Sequence, residues 1–271
     1  MMRSLLFAPA NRDKFVLNFL KLDADAYCID LEDGTPAAEK DSARAGLPSL
    51  VARLREGRLS GPLLVRVNDP SGEIGRKDLA AVRSLAIDGL MIPKVSAPDD
   101  LRRIDRAGML VALIETVQGV ANARAIAEAA RQGTALAFGA EDFATDIGGR
   151  RTPGGNEVLY ARSQVLLAAK LHDLPALDQV VVEIRDDARF DADAQAGRDL
   201  GYDGKMCLTP KQVAQANAAF APSADELEFA RRLIAAFEDA ERRSLGAFDF
   251  EGRMVDEPLV KRARRILASV R

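Results

Sequence analysis

The sequence predicts one (β/α)₈ barrel, a TIM barrel of the α/β class, followed by a short helix–hairpin–helix extension. Three observations carry that expectation. The chain has 271 residues, near the ~250 typical of one such barrel. Short apolar runs alternate with helical patterns, the rhythm of a parallel sheet covered by helices. Charged and amide side chains close four of those runs: Ile29-Asp30-Leu31-Glu32-Asp33, Val65-Arg66-Val67-Asn68, Leu113-Ile114-Glu115-Thr116 and Phe138-Gly139-Ala140-Glu141-Asp142. In this fold the strand ends on one face build the site.

The strands are expected over Arg3–Ala8, Ala26–Glu32, Leu63–Asn68, Gly89–Val95, Leu110–Thr116, Ala135–Gly139, Val180–Arg185 and Gly204–Leu208. Several are near-continuous apolar runs, as strands buried on both faces should be. Helical patterns fill the gaps. Asp13–Lys21 follows the first strand, Lys40–Arg55 the second and Asp78–Leu85 the third. Ser96-Ala97-Pro98-Asp99 opens Asp100–Ala107 after the fourth. Gly119–Arg131, Asn156–Leu171 and Asp193–Leu200 follow the fifth, sixth and seventh. No Gly-x-Gly-x-x-Gly follows the first strand, which argues against an open doubly wound sheet. The pairs Gly148-Gly149 and Gly154-Gly155 lack the Gly-Lys-Ser/Thr of a phosphate loop and read as loop flexibility.

Beyond the barrel the rhythm changes. Asp225–Ser244 reads as a helix, Ala247–Asp256 as a hairpin turning at Glu251-Gly252, and Pro258–Val270 as a final helix. The barrel is placed over residues 1–222 and the extension over 223–271. The extension is too short to hold a large core of its own. It is expected to fold over its barrel or to pack on a neighbouring subunit.

Lysine and arginine number 38 against 41 aspartates and glutamates, for a net charge of −3. No basic balance suggests nucleic acid. No apolar stretch approaches the ~20 residues of a membrane span, and the first residues lack a signal-peptide pattern. Cys28 and Cys207 lie in apolar runs without metal-ligand spacing, which suits buried thiols in a reducing compartment. A cytoplasmic, soluble protein without nucleic-acid or membrane partners is the expectation. The single histidine, His172, reads as a helix C-terminal residue. Ser-His and Cys-His triads and histidine-based zinc sites are thereby set aside.

Glu115 and Asp142 are the metal candidates, because two carboxylates plus waters and substrate oxygens suit Mg²⁺. The alternative is that each bonds a lysine or a helix N-terminus. Arg66 is either an anion binder, through its planar fork, or a structural partner of nearby acids. Lys94 poses the same choice, with a Schiff base as a third reading that neighbouring carboxylates disfavour by keeping the amine protonated. The turn Gly139-Ala140-Glu141-Asp142 offers backbone N–H groups to a substrate carboxylate. Arg12 and Lys14 read as phosphate contacts or, more blandly, as a solvated helix start.

Together the motifs resemble the citrate lyase beta-subunit family, grouped with malyl-CoA and citramalyl-CoA lyases in the HpcH/HpaI aldolase superfamily. The resemblance rests on Arg3-Ser4-Leu5-Leu6-Phe7, Asp30-Leu31-Glu32-Asp33, Glu39-Lys40-Asp41, Val65-Arg66-Val67-Asn68 and Pro93-Lys94-Val95. It continues through Ile114-Glu115-Thr116, Gly139-Ala140-Glu141-Asp142-Phe143, Leu159-Tyr160-Ala161-Arg162-Ser163, Gly204-Lys205 and Met254-Val255-Asp256. It implies a Mg²⁺-dependent carbon–carbon lyase. Such an enzyme cleaves or forms a malyl-, citramalyl- or citryl-type thioester, on CoA or an acyl carrier, giving a 2-oxo acid and an acyl thioester.

By the same resemblance, Mg²⁺ sits on Glu115 and Asp142, Arg66 binds the oxo-acid oxygens and Asp33 is the base. Asp256 is the acid/base, often in a neighbouring subunit's site, which implies a homo-oligomer, a trimer. Lys94, Ala140, Glu141 and Asp142 are expected against substrate, and Arg12 and Lys14 against the CoA or carrier end. Ala10 and Thr209 depart from the glycine and histidine common in relatives, which touches the acyl group rather than the reaction. Two rivals stand beside this reading: a citrate lyase beta subunit using a carrier-protein thioester, and a non-catalytic ligand-binding barrel.

Overall fold

The computed structural model describes residues 2–105, 108–242 and 247–269. Eight strands pair in sequence order: β1 (Ser4–Pro9), β2 (Ala26–Asp30), β3 (Leu63–Arg66), β4 (Gly89–Ile92), β5 (Met109–Ile114), β6 (Thr134–Phe138), β7 (Ala176–Asp178) and β8 (Gly204–Cys207). All pairs are parallel, and β8 returns to β1 to close the barrel. The expected (β/α)₈ fold is the observed one.

The helices of this part are α1 (Asp13–Asn18), α2 (Lys40–Glu56), α3 (Glu73–Val82), α4 (Pro98–Arg102), α5 (Val117–Ala121), α6 (Ala123–Glu128), α7 (Ala140–Asp146), α8 (Asn156–Leu171), α9 (Asp187–Leu200) and α10 (Pro210–Phe220).

One strand differs from expectation. The seventh is Ala176–Asp178, and Val180–Arg185 is a loop. The Pro175 carbonyl already accepts the Leu136 N–H at 2.9 Å, so pairing begins upstream of the valines. Asp178 then pairs in register with Lys205. The β-branched run falls beyond the barrel, with Val182 46% and Ile184 53% exposed.

Two helices go beyond the sequence pattern. α7 begins where a turn was expected, and α10 supplies the helix after the eighth strand. α3 starts at Glu73, five residues before the expected Asp78, and α9 starts at Asp187, where the Asp186 carboxylate caps it by accepting the Arg189 N–H. Of the expected helix ends, Ala107, Ser244 and Val270 lie outside the described residues.

Strand alternation sorts side chains into two cores. Ala26 and Cys28 of β2, Leu64 of β3, Met91 of β4, Leu113 of β5 and Ala137 of β6 pack together inside the barrel. Tyr27, Ile29, Val65, Leu136 and Cys207 belong to the layer beneath the helices.

The chain divides into two compact units, Met1–Phe220 and Ala221–Arg271. The second contains α11 (Ala224–Arg242), the antiparallel strands β9 (Phe248–Phe250) and β10 (Arg253–Val255), and α12 (Glu257–Ala268). Leu233, Phe237, Val255 and Val260 form its own core. Glu251 and Gly252 turn the hairpin with φ of 52° and 77°, the positive pair that a two-residue turn of this hand needs.

Candidate active site at the barrel mouth

The inward phase of the strands continues past their ends and chooses the site residues. On β2 the inward positions 26 and 28 lead to Asp30 and then Glu32. On β3, Leu64 leads to Arg66, and on β5, Leu113 leads to Glu115. Asp30 and Arg66 are register partners on neighbouring strands. They form a bidentate pair, Nε to Oδ1 at 2.8 Å and Nη2 to Oδ2 at 2.6 Å. Glu32 flanks the same guanidinium at 3.0 Å from Nη1. The Phe7 ring lies 5.2 Å from its centre. Burial would lower the arginine's pKa, but Asp30 and Glu32 raise it, so the cation is fixed.

Lys94 links two of the acids. Its backbone takes φ = 54°, a left-handed conformation rare for a side-chain-bearing residue. Its N–H donates to Glu115 Oε1 at 2.9 Å, and its Nζ sits 3.2 Å from Glu32 Oε1. Burial opposes the ammonium, but Glu32 outweighs it and raises the pKa. A protonated amine is a poor Schiff-base nucleophile. Glu32 in turn is raised by burial, against the pull of Arg66 and Lys94.

Glu115 is 2% exposed. Burial first, then the charges of Asp142 and Glu32, push its carboxyl up to about 8. Asp142, half-buried in the first turn of α7, is raised by burial and by Asp33. Gly139 leaves room for the Glu115 side chain: a Cβ there would stand 2.5 Å from Glu115 Oε2. Among the described residues, Arg66 and Lys94 are the cations that pair with this group of Asp30, Glu32, Asp33, Glu115 and Asp142. Asp30 and Glu32 hold those two cations. Glu115 and Asp142 are left without an ion pair among the described residues, and their raised carboxyls mark a place where a divalent cation would stabilise the ionised pair.

Among the described residues no group of three or more histidine, cysteine, aspartate or glutamate side chains is placed to hold a metal. A cation here would therefore have these two carboxylates and complete its shell with water or substrate oxygens, the habit of Mg²⁺.

The other expected residues are placed as follows. Asp33 is exposed at the rim, off the inward phase, and its N–H reaches Glu32 Oε2 at 3.4 Å. Ala140 is buried and opens α7, so the expected anion-binding turn is a helix start. The Glu141 side chain is held by Arg151 Nε at 2.9 Å. Arg12 and Lys14 are exposed at the start of α1. Asp256 is exposed at the N-cap position of α12, in the second unit. Sequence reasoning passed over Asp30 and Arg151. For Asp30 the signal was its two-residue spacing from Glu32; for Arg151 no sequence signal exists.

Residues 3–210 match the family described as HpcH/HpaI aldolase/citrate lyase. The chain is 42% identical to a citrate lyase subunit beta-like protein of Deinococcus radiodurans, over 99% of this chain and 97% of that one. It is 37% identical to a (3S)-malyl-CoA thioesterase of Cereibacter sphaeroides, over 98% and 93%. Among solved structures it resembles the protein CitE of Mycobacterium tuberculosis in complex with magnesium, acetoacetate and coenzyme A. The TM-score is 0.83 at 32% identity, covering 98% of this chain and 96% of that one.

Proposed function

The chain belongs to the HpcH/HpaI aldolase/citrate lyase family, and from that premise we propose that it is a Mg²⁺-dependent carbon–carbon lyase. Its substrate is a 3-hydroxy-3-carboxyacyl thioester of the malyl, citramalyl or citryl type, and its products are a 2-oxo acid and an acyl thioester. The observation that carries this reading is the pair Glu115 and Asp142, one buried and one half-buried and neither in an ion pair among the described residues, beside an arginine locked by Asp30. A solved relative holding magnesium, acetoacetate and coenzyme A supports the cofactor and the CoA half of the substrate, and another holding magnesium and pyruvate supports the 2-oxo acid half.

Each residue then has a task. Glu115 and Asp142 would hold Mg²⁺, which supplies Lewis-acid polarisation of the oxo-acid oxygens when bound. Arg66 uses Nε and one N–H of each terminal nitrogen on Asp30 and Glu32. A guanidinium has five N–H donors, so its terminal nitrogens still have N–H to aim at the oxygen that becomes the ketone. Asp30 sets the plane of that fork. Lys94 offsets part of the burial cost of the Glu32 carboxylate and adds positive charge to the rim. Asp33, at the mouth, takes the hydroxyl proton directly or through water. The carbon–carbon bond breaks to the 2-oxo acid and a thioester enolate, whose carbon is protonated by Asp256 of a neighbouring subunit. Ala140, Glu141 and Asp142 line the oxo-acid half, and Arg12 and Lys14 meet the CoA or carrier end.

A homo-oligomer, a trimer by the family resemblance, is the assembly in which a neighbour's extension (223–271) would complete each site. Leu159, Leu167 and Leu171, exposed along one face of α8, support an interface, since such patches mark association surfaces. No helix among the described residues is long and apolar enough to cross a membrane. Free buried thiols at Cys28 and Cys207 support a reducing, cytoplasmic setting. A second reading, a citrate lyase beta subunit acting on a carrier-bound thioester, is supported by 33% identity to a citrate lyase subunit beta of Leuconostoc mesenteroides. Rates on matched CoA and carrier thioesters decide between them.

The test is a panel of malyl-, citramalyl- and citryl-CoA assayed with and without Mg²⁺. At least one should be cleaved only with the metal, and Glu115→Ala and Asp142→Ala should each abolish that turnover while the chain stays folded. Unchanged rates in both variants overturn the assignment.

A further inference from the structure

Asp142 rides on α7, a helix of seven residues, Ala140–Asp146. A helix this short is not stable by itself, so tertiary ties must set its orientation. At its end Asp146 accepts the Val117 N–H at 2.7 Å. At its start the tie is Glu141, the residue before Asp142, and its partner is Arg151 in the loop that follows.

Arg151 reaches three elements at once. Nε donates to Glu141 Oε1 at 2.9 Å, Nη1 to Glu157 Oε1 at 2.5 Å, and Nη2 to Gln179 Oε1 at 3.3 Å. Glu157 stands in the first turn of α8 and also takes the Thr152 hydroxyl and N–H, at 2.6 and 3.1 Å. Gln179 passes the connection inward, its amide donating to Asp193 Oδ1 at 2.9 Å. Asp193 belongs to a buried cluster with Arg162, Asp178 and Lys205. The start of α7 is therefore tied, through one guanidinium, to a cluster of buried charges in the barrel.

We propose that Arg151 is a positioning residue for the metal site: by clamping Glu141 to Glu157 and Gln179 it fixes the start of α7 and, with it, the carboxylate of Asp142 opposite Glu115. The proposal rests on the metal assignment above. Groups that orient a ligand without touching the metal typically set its affinity within a factor of 10–100, and Arg151 acts one residue away from the ligand.

Mg²⁺ affinity by calorimetry and Mn²⁺ affinity by electron paramagnetic resonance test it without turnover. Arg151→Ala should weaken both by about 10–100-fold. Glu141→Ala should produce a similar loss, and the double variant should be no worse than either, because both remove the same Arg151–Glu141 contact. Arg151→Lys should fall between. Arg189→Ala loosens the same loop by removing donors to the Thr152 and Pro153 carbonyls but spares Glu141, so its affinity should be unchanged. A lowered melting temperature with unchanged metal affinity in Arg151→Ala would show a merely structural residue and overturn the clamp. Should that variant not fold, unchanged affinity in Glu141→Ala overturns it equally. Absence of divalent binding in the unaltered chain overturns the metal assignment and the clamp together.

Discussion

Lys94 holds a backbone conformation that costs a side-chain-bearing residue roughly 1–2 kcal/mol. The strain turns its N–H onto Glu115 while its amine reaches Glu32, as strained residues at functional sites often do. Lys94→Gly keeps the N–H and loses the strain, whereas Lys94→Ala keeps both. Glycine should therefore be the more stable of the two by about 1 kcal/mol in urea unfolding, with catalysis impaired in both by loss of the ammonium. An alanine variant as stable as the glycine one would refute the account. The sequence made Arg66, Glu115, Asp142 and Lys94 legible because each closes an apolar run. It did not separate Asp30 and Glu32 from Asp33. Side chains alternate every second residue, but a strand apolar on both faces gives no phase. Only the closed barrel shows that positions 30 and 32 point in and 33 does not.

Elements were legible where periodicity was strong and the flanks were clear, as in α8, expected and observed over Asn156–Leu171. The seventh strand was not, because its three residues include an aspartate, and a longer β-branched run stood next to it. What makes Ala176–Asp178 a strand is tertiary: Asp178, fully buried, meets Arg162 and Lys205. Asp193 completes that cluster, accepting from Lys205 Nζ at 2.5 Å and from the Gln179 amide. Burial alone would raise its carboxyl, but Lys205 and Arg162 outweigh burial and lower it below the ordinary value of 3.8. A depressed folded pKa gives stability that is complete above the unfolded pKa and is lost as pH falls through the folded one. Asp193→Asn should therefore cost about 3–5 kcal/mol at pH 7, as for a broken buried pair. It should also flatten the stability decline as pH falls below about 4, the ordinary aspartate value. Urea midpoints measured across that range check both, and parallel acid limbs would exclude Asp193 as the titrating group.

At the scale of the molecule, the barrel and the 51-odd residues after Phe220 fold around separate cores and divide the proposed chemistry between them. Asp256→Asn should lower the rate by about 10²–10⁴, the worth of a general acid/base, while Mg²⁺ affinity stays as it was. Mixed oligomers of Asp256→Asn and Arg66→Ala chains should regain activity, since one interface can combine an intact barrel with an intact Asp256. Dead mixtures, or a fully active monomer, would return Asp256 to its own barrel or remove it from the reaction. The two cores of the barrel unit have a further consequence. Cys28 lies inside the barrel and Cys207 in the layer under the helices. Burial pushes both thiols up, Cys207 to about 12, so neither forms the thiolate that reacts until its compartment opens. The protein thus holds two native clocks: alkylation of Cys207 times the lifting of helices from the sheet, and alkylation of Cys28 times the parting of the strands themselves.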